Sequence, residues 1–174
     1  SGRAPAMPAG VADRVALLAD LGYERLGVTS LVLPVGERFA WIMAATDAQS
    51  YAILVANPRI SLTGIYSAWA DGMWLGTLHP RGEPSDRPTL QVRAVSTTLS
   101  DAVAVHRAAV NRLAAVHGSP RPIRAMADML ALDADYRTRF GGSRLRPLTM
   151  RIVLPALAIA LIAVLSLALV IVAR

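Results

Sequence analysis

The chain has 174 residues, 18 basic and 12 acidic side chains, a net charge of +6 and no cysteine. The missing cysteine excludes a disulfide scaffold, thiolate zinc centres and a catalytic thiol. Every basic residue is arginine, which excludes a G-x-x-x-x-G-K-[ST] phosphate loop as well, and the roughly 147 residues before the last apolar run suffice for one small domain.

In chain order, Val11, Val15, Leu18 and Leu21 recur at helical spacing, so a helix is expected over 9–21, with Gly22 as its stop. From Tyr23 to Val95 the pattern turns β-rich. Strands are expected at 26–33, 39–46, 51–56, 60–69, 73–78 and 90–95. Asp71-Gly72 reads as a type I′ hairpin turn, since both central positions of that turn take positive φ. His79 to Pro88, with three prolines, reads as a polar loop. Short strands with tight turns, and no helix between them to cross over, imply an antiparallel meander of about six strands.

Helical spacing returns after Leu99. Ser100 is the expected N-cap, with Asp101 in the first turn, Val103, Val110, Leu113 and Ala114 as the apolar stripe and Gly118 as the end. A last helix is expected over 123–140, with Ile123, Met126, Leu130 and Ala134 facing inward, ended by Gly141-Gly142. The fold class is therefore α+β, with the bracketing helices packed on one face of the sheet.

The most informative stretch is the last. Ile152 to Ala173 is uncharged, between Arg151 and Arg174. As a helix it is roughly 33 Å long, enough to cross a hydrocarbon core of about 30 Å. The expected organisation is a domain over 1–147, a basic segment over 137–151 and a transmembrane helix over 152–173. After Asp135 there is no acid, while Arg137, Arg139, Arg144, Arg146 and Arg151 precede the span. The positive-inside rule then expects an inner-membrane protein with its N-terminal domain in the cytoplasm and its C-terminus outside. Each of these arginines adds about 1 kcal/mol of attraction to anionic lipid headgroups. A charge excess placed at a membrane does not describe a nucleic-acid surface. Ala156, Ala160 and Ala163 share one face of the span and form a small-residue packing stripe.

Chemical motifs are sparse. His79, His106 and His117 are not spaced for a metal and read as surface or interface residues. Ser67, Ser96 and Ser100 lie in no nucleophile-elbow pattern, although a dyad of His106 with Asp101 or Asp71 is conceivable. Asp128, Asp133 and Asp135 read as a solvated face or as partners of Arg124, Arg137 and Arg139. Trp69 and Trp74 flank the Asp71-Gly72 turn, where they either pack in the core or present an aromatic patch to a partner. No cofactor or metal is expected.

Leu21-Gly-Tyr-Glu-Arg-Leu-Gly27, Ala70-Asp-Gly-Met-Trp-Leu-Gly-Thr77 and Leu99-Ser-Asp-Ala-Val-Ala-Val-His-Arg107 together resemble a group of uncharacterised bacterial membrane-associated proteins. These show a strand–Asp-Gly–strand segment ending in threonine, then a helix carrying His-Arg. The resemblance covers residues 20–117; it implies an α+β domain and no activity. The expectation is a non-catalytic single-pass accessory subunit of a larger bacterial membrane complex, respiratory or photosynthetic, with integral membrane subunits as partners. The alternative is a membrane-anchored ligand-binding or sensor domain.

Overall fold

The computed structural model describes residues 6–33, 36–56 and 61–140. Helix α1 (Ala9–Asp20) leads into β1 (Tyr23–Leu33), β2 (Gly36–Ala45), β3 (Tyr51–Ala56), β4 (Ser61–Ala68), β5 (Trp74–His79), β6 (Ser85–Arg87) and β7 (Leu90–Ala94), then α2 (Leu99–His117). Residues 126–140 form a further helix, α3. The chain falls into two compact units, Ser1–Leu130 and Ala131–Arg174. The expected domain end at 147 and the span over 152–173 lie outside the described residues; among the described residues no helix is long and apolar enough to cross a membrane.

The α+β class holds, but the sheet has seven strands in the order β1-β2-β3-β4-β5-β7-β6. β1 to β5 form the expected antiparallel meander. The correction comes after β5. The stretch expected to be only a loop contains β6, and β7 inserts between β5 and β6, parallel to β5. Side-chain character explains this order. β7 brings Leu90 and Val92, both buried, to an interior position, whereas Ser85-Asp86-Arg87 suits a solvated edge.

The two faces of the sheet are built differently. On one, Val11 and Leu18 of α1 and Leu99, Ala102 and Val103 of α2 pack with Tyr23, Trp41, Met43, Leu54 and Ile65. Farther along α2, Ala109, Val110 and Leu113 close over Trp69, Met73 and Leu75. On the other face Tyr66 lies over two glycines. A Cβ on Gly64 would collide with the Tyr66 ring, and one on Gly76 would come within 3.3 Å of it. Tyr51 flanks that ring at 5.5 Å between centroids. α1 and α2 thus share a face as expected, while Met126, at the start of α3, lies against Gly27 on the opposite one.

Three local expectations change. The N-cap of α2 is Thr98, two residues before Ser100: its hydroxyl accepts from the Asp101 N–H (3.0 Å) and the Asp101 carboxylate accepts from the Thr98 N–H (3.1 Å), a reciprocal capping box. The β4–β5 turn is not type I′, because Gly72 (φ 93°) has positive φ and Asp71 does not. The Trp69 carbonyl accepts from the Gly72 N–H at 3.1 Å, and Asp71 accepts from the Met73 N–H at 3.1 Å. In α3 the buried residues are Met129, Leu132 and Phe140; Leu130 is 48% exposed and Ala134 is exposed too. The helix begins later than expected, and Asp128 fixes its start by accepting from the N–H groups of Arg124 and Ala125 (2.8 and 2.9 Å).

Candidate functional site

α2 lays His106 directly over β4 and β5. Ser67 and Thr77 sit on these neighbouring strands with their hydroxyls toward the helix, and all three residues are fully buried. The histidine expected at a surface is therefore a core residue. Its Nε2 lies 3.0 Å from Ser67 Oγ and its Nδ1 2.9 Å from Thr77 Oγ1. Ser67 donates its only hydroxyl proton to the Gln49 carbonyl at 2.7 Å. Nε2 must then be the donor to Ser67, and Nδ1 the acceptor from Thr77. Burial pushes the His106 pKa down to about 3, so the ring is neutral.

A serine beside a histidine invites a nucleophilic reading, but the proton order here is the reverse of what activation needs. The Nε2–H of the imidazole donates a hydrogen bond to Ser67 Oγ, so Nε2 has no lone pair free to take the serine proton. Neither Asp101 nor Asp71 completes a dyad. Asp101 caps α2, and Asp71 Oδ2 lies 2.6 Å from His117 Nδ1. The chemistry this relay performs is structural: it ties helix to sheet with every polar atom of His106 satisfied.

A second polar row crosses the same face, where Trp41, Leu54, Thr63 and His79 are register partners on β2 to β5. Arg14 of α1 reaches Thr63 Oγ1 at 3.0 Å, and burial lowers its pKa. His79 Nε2 faces the Thr97 carbonyl at 3.3 Å. Trp41 Nε1 and His79 Nδ1 are buried with no partner among the described residues.

The end of α2 closes on the β4–β5 hairpin. Trp69 Nε1 donates to the Gly118 carbonyl at 2.7 Å, and its indole meets the His117 ring at 6.1 Å. The hydrogen bonds from His117 and from the Met73 N–H hold the Asp71 carboxyl below the usual carboxylate range. Trp69 and Trp74 are both only 1% exposed. Trp74 is paired with Ala68, and alternation along the hairpin turns the two indoles to opposite faces. They pack in the core and do not form one patch.

No family model, curated protein or solved structure matches this chain. Of the expected membrane-docking arginines, Arg137 pairs with Asp133, and Arg139 Nε lies 2.8 Å from Asp135, each four residues apart on α3. These exposed pairs leave that turn of helix without net charge. Arg144, Arg146 and Arg151, and the alanines Ala156, Ala160 and Ala163, lie outside the described residues. Among the described residues no group of three or more His, Asp or Glu could hold a metal.

One concavity was not foreseen. Ser85, Asp86, Gln91, Val92, Arg93 and Arg112 line a depression of about 400 Å³ where β6 and β7 project past α2. Arg93 alternates with buried Val92, so it rises on the face that α2 covers farther in. Sequence reasoning missed this site because β6 hides in a proline-rich stretch. Without β6 nothing places Asp86 opposite Gln91 or brings Arg93 near a helix.

Proposed function

We propose that the chain is a non-catalytic, single-pass accessory subunit that stabilises or assembles a larger bacterial membrane protein complex, a respiratory or photosynthetic one being a fitting setting. The observation that carries this reading is the uncharged run Ile152–Ala173, bounded by Arg151 and Arg174 and preceded by a stretch without acids after Asp135. Its partners are integral membrane subunits and anionic lipid headgroups, and its N-terminal domain lies on the cytoplasmic face of the inner membrane. Further support comes from how the domain uses its reactive groups: His106, Ser67, Asp71, Asp101 and Asp128 each serve a structural bond. The proposed headgroup contacts are Arg137, Arg139, Arg144, Arg146 and Arg151, the first two of which also pair with Asp133 and Asp135.

Purification from the native membrane in mild detergent, followed by a native gel and mass spectrometry, tests this reading. A stoichiometric large assembly supports it, and a lone monomer or homodimer overturns it. Ala156→Leu, Ala160→Leu and Ala163→Leu should each weaken co-purification, since a bulkier side chain separates closely packed helices. A membrane-anchored ligand-binding or sensor domain is the second reading, and the depression beside Arg93 and Arg112 is the observation that favours it.

A further inference from the structure

We propose that the ledge between β6, β7 and the outer side of α2 binds a small molecule through its oxyanion head, phosphate or carboxylate, held between Arg93 and Arg112. The inference stands apart from the accessory-subunit reading and does not need it.

The geometry of the sheet creates the ledge. α2 covers β4 and β5, and the sheet then continues for two more strands, β7 and β6. On the side away from α2, β7 buries Leu90 and Val92. On the side toward α2 it offers Gln91 and Arg93, and β6 sets Asp86 opposite Gln91. Arg112, on the exposed side of α2, lines the concavity from the helix. Polar side chains from three elements thus converge on one space of about 400 Å³, a volume suited to a small organic molecule.

Among the described residues the positive charge in that space exceeds the negative, with Arg93 and Arg112 facing Asp86 alone. Arg107 bonds the Leu21 carbonyl, Arg14 bonds Thr63, and Arg137 and Arg139 pair with aspartates. Arg93 and Arg112 make no hydrogen bond or ion pair with any described residue, although Asp86 lines the same space. Two guanidiniums leave a net positive site with up to ten N–H donors between them, and the planar fork of each matches the paired oxygens of a phosphate or carboxylate. Gln91 and Ser85 add polar groups to the lining. Asp86 is the one repulsive element for an anion, and it selects against highly charged ligands.

The test uses the full chain in a neutral detergent, with inorganic phosphate and succinate as probes in separate calorimetric titrations. Saturable binding of at least one probe is expected, weakened about tenfold or more by Arg93→Ala and by Arg112→Ala, the loss of a charge-assisted hydrogen bond. Asp86→Asn should strengthen the same binding severalfold, a gain that a damaged fold does not produce. Competition by added phosphatidylglycerol would identify a lipid headgroup as the source of the oxyanion; undisturbed binding would identify a soluble one. Absence of saturable binding by both probes up to ten millimolar overturns the proposal. So does binding that survives both arginine substitutions, or that Asp86→Asn leaves unchanged.

Discussion

His106 holds one proton, on Nε2, and its burial keeps a second one off until the pH nears 3. In the unfolded chain the same imidazole protonates near 6.5. Between these values the unfolded state binds more protons, so stability falls as pH drops below 6.5, by up to about 1.4 kcal/mol per pH unit. Replacing His106 with Phe should remove that slope. At pH 7.5 the variant should be about 1–3 kcal/mol less stable, because the Thr77 hydroxyl loses its acceptor in the core. Urea unfolding of the full chain in neutral detergent at pH 7.5 and 5 checks both effects. An equal acid slope in wild type and variant would show that His106 does not carry it. The aspartates act in a lower window. The carboxyls of Asp71, Asp101 and Asp128 are held below 3.8, so their contribution is present above that pH and is lost as pH falls through it. On the other face, Gly64→Ala should cost about 1–3 kcal/mol, since its methyl must displace the Tyr66 ring from its seat. An unchanged urea midpoint would mean that the ring moves aside freely.

At the scale of the element, α2 is held by its two ends as well as by its apolar stripe. Thr98 and Asp101 close its N-terminus, and Trp69 and Asp71 meet its C-terminus at Gly118 and His117. Thr98→Ala removes one arm of the capping box and should lower stability by about 1 kcal/mol, measurable as a shift in the urea midpoint, with Thr98→Ser close to wild type. Equal losses in both variants would point away from the hydroxyl. The same helix shows what sequence reading reaches. Its existence, its end at Gly118 and its core residues Val103, Val110 and Leu113 were legible, because 3.6-residue periodicity and glycine stops are local signals. The cap itself was not, since Thr97, Thr98 and Ser100 are all competent acceptors and the sequence does not say which of them takes the Asp101 N–H. Nor was the burial of His106, which depends on hydroxyls supplied by two strands 29 and 39 residues away. Strands β1 to β5 were legible from their turns. β6 was not, because three polar residues between prolines carry no period, and only its pairing with β7 makes it a strand. The ledge was lost with it.

Taken as a whole, the described domain is an open sheet with two unlike borders. β1 spans eleven residues and, among the described residues, pairs only with β2; at the other end, β6 spans three. Leu26 is the extra residue of β1, lying between Arg25, the partner of Met43, and Gly27, the partner of Ile42. Such a bulge bends the strand and interrupts the regular row of outward N–H and C=O groups. A neighbouring copy approaching this border meets a broken template, and at β6 it meets one too short to hold. Deleting Leu26 should restore an unbroken ladder and raise the tendency of the protein to associate at high concentration, visible as a rise in light scattering that the wild type does not show. The single surplus residue in β1 thereby works against edge-to-edge pairing of two copies of the sheet.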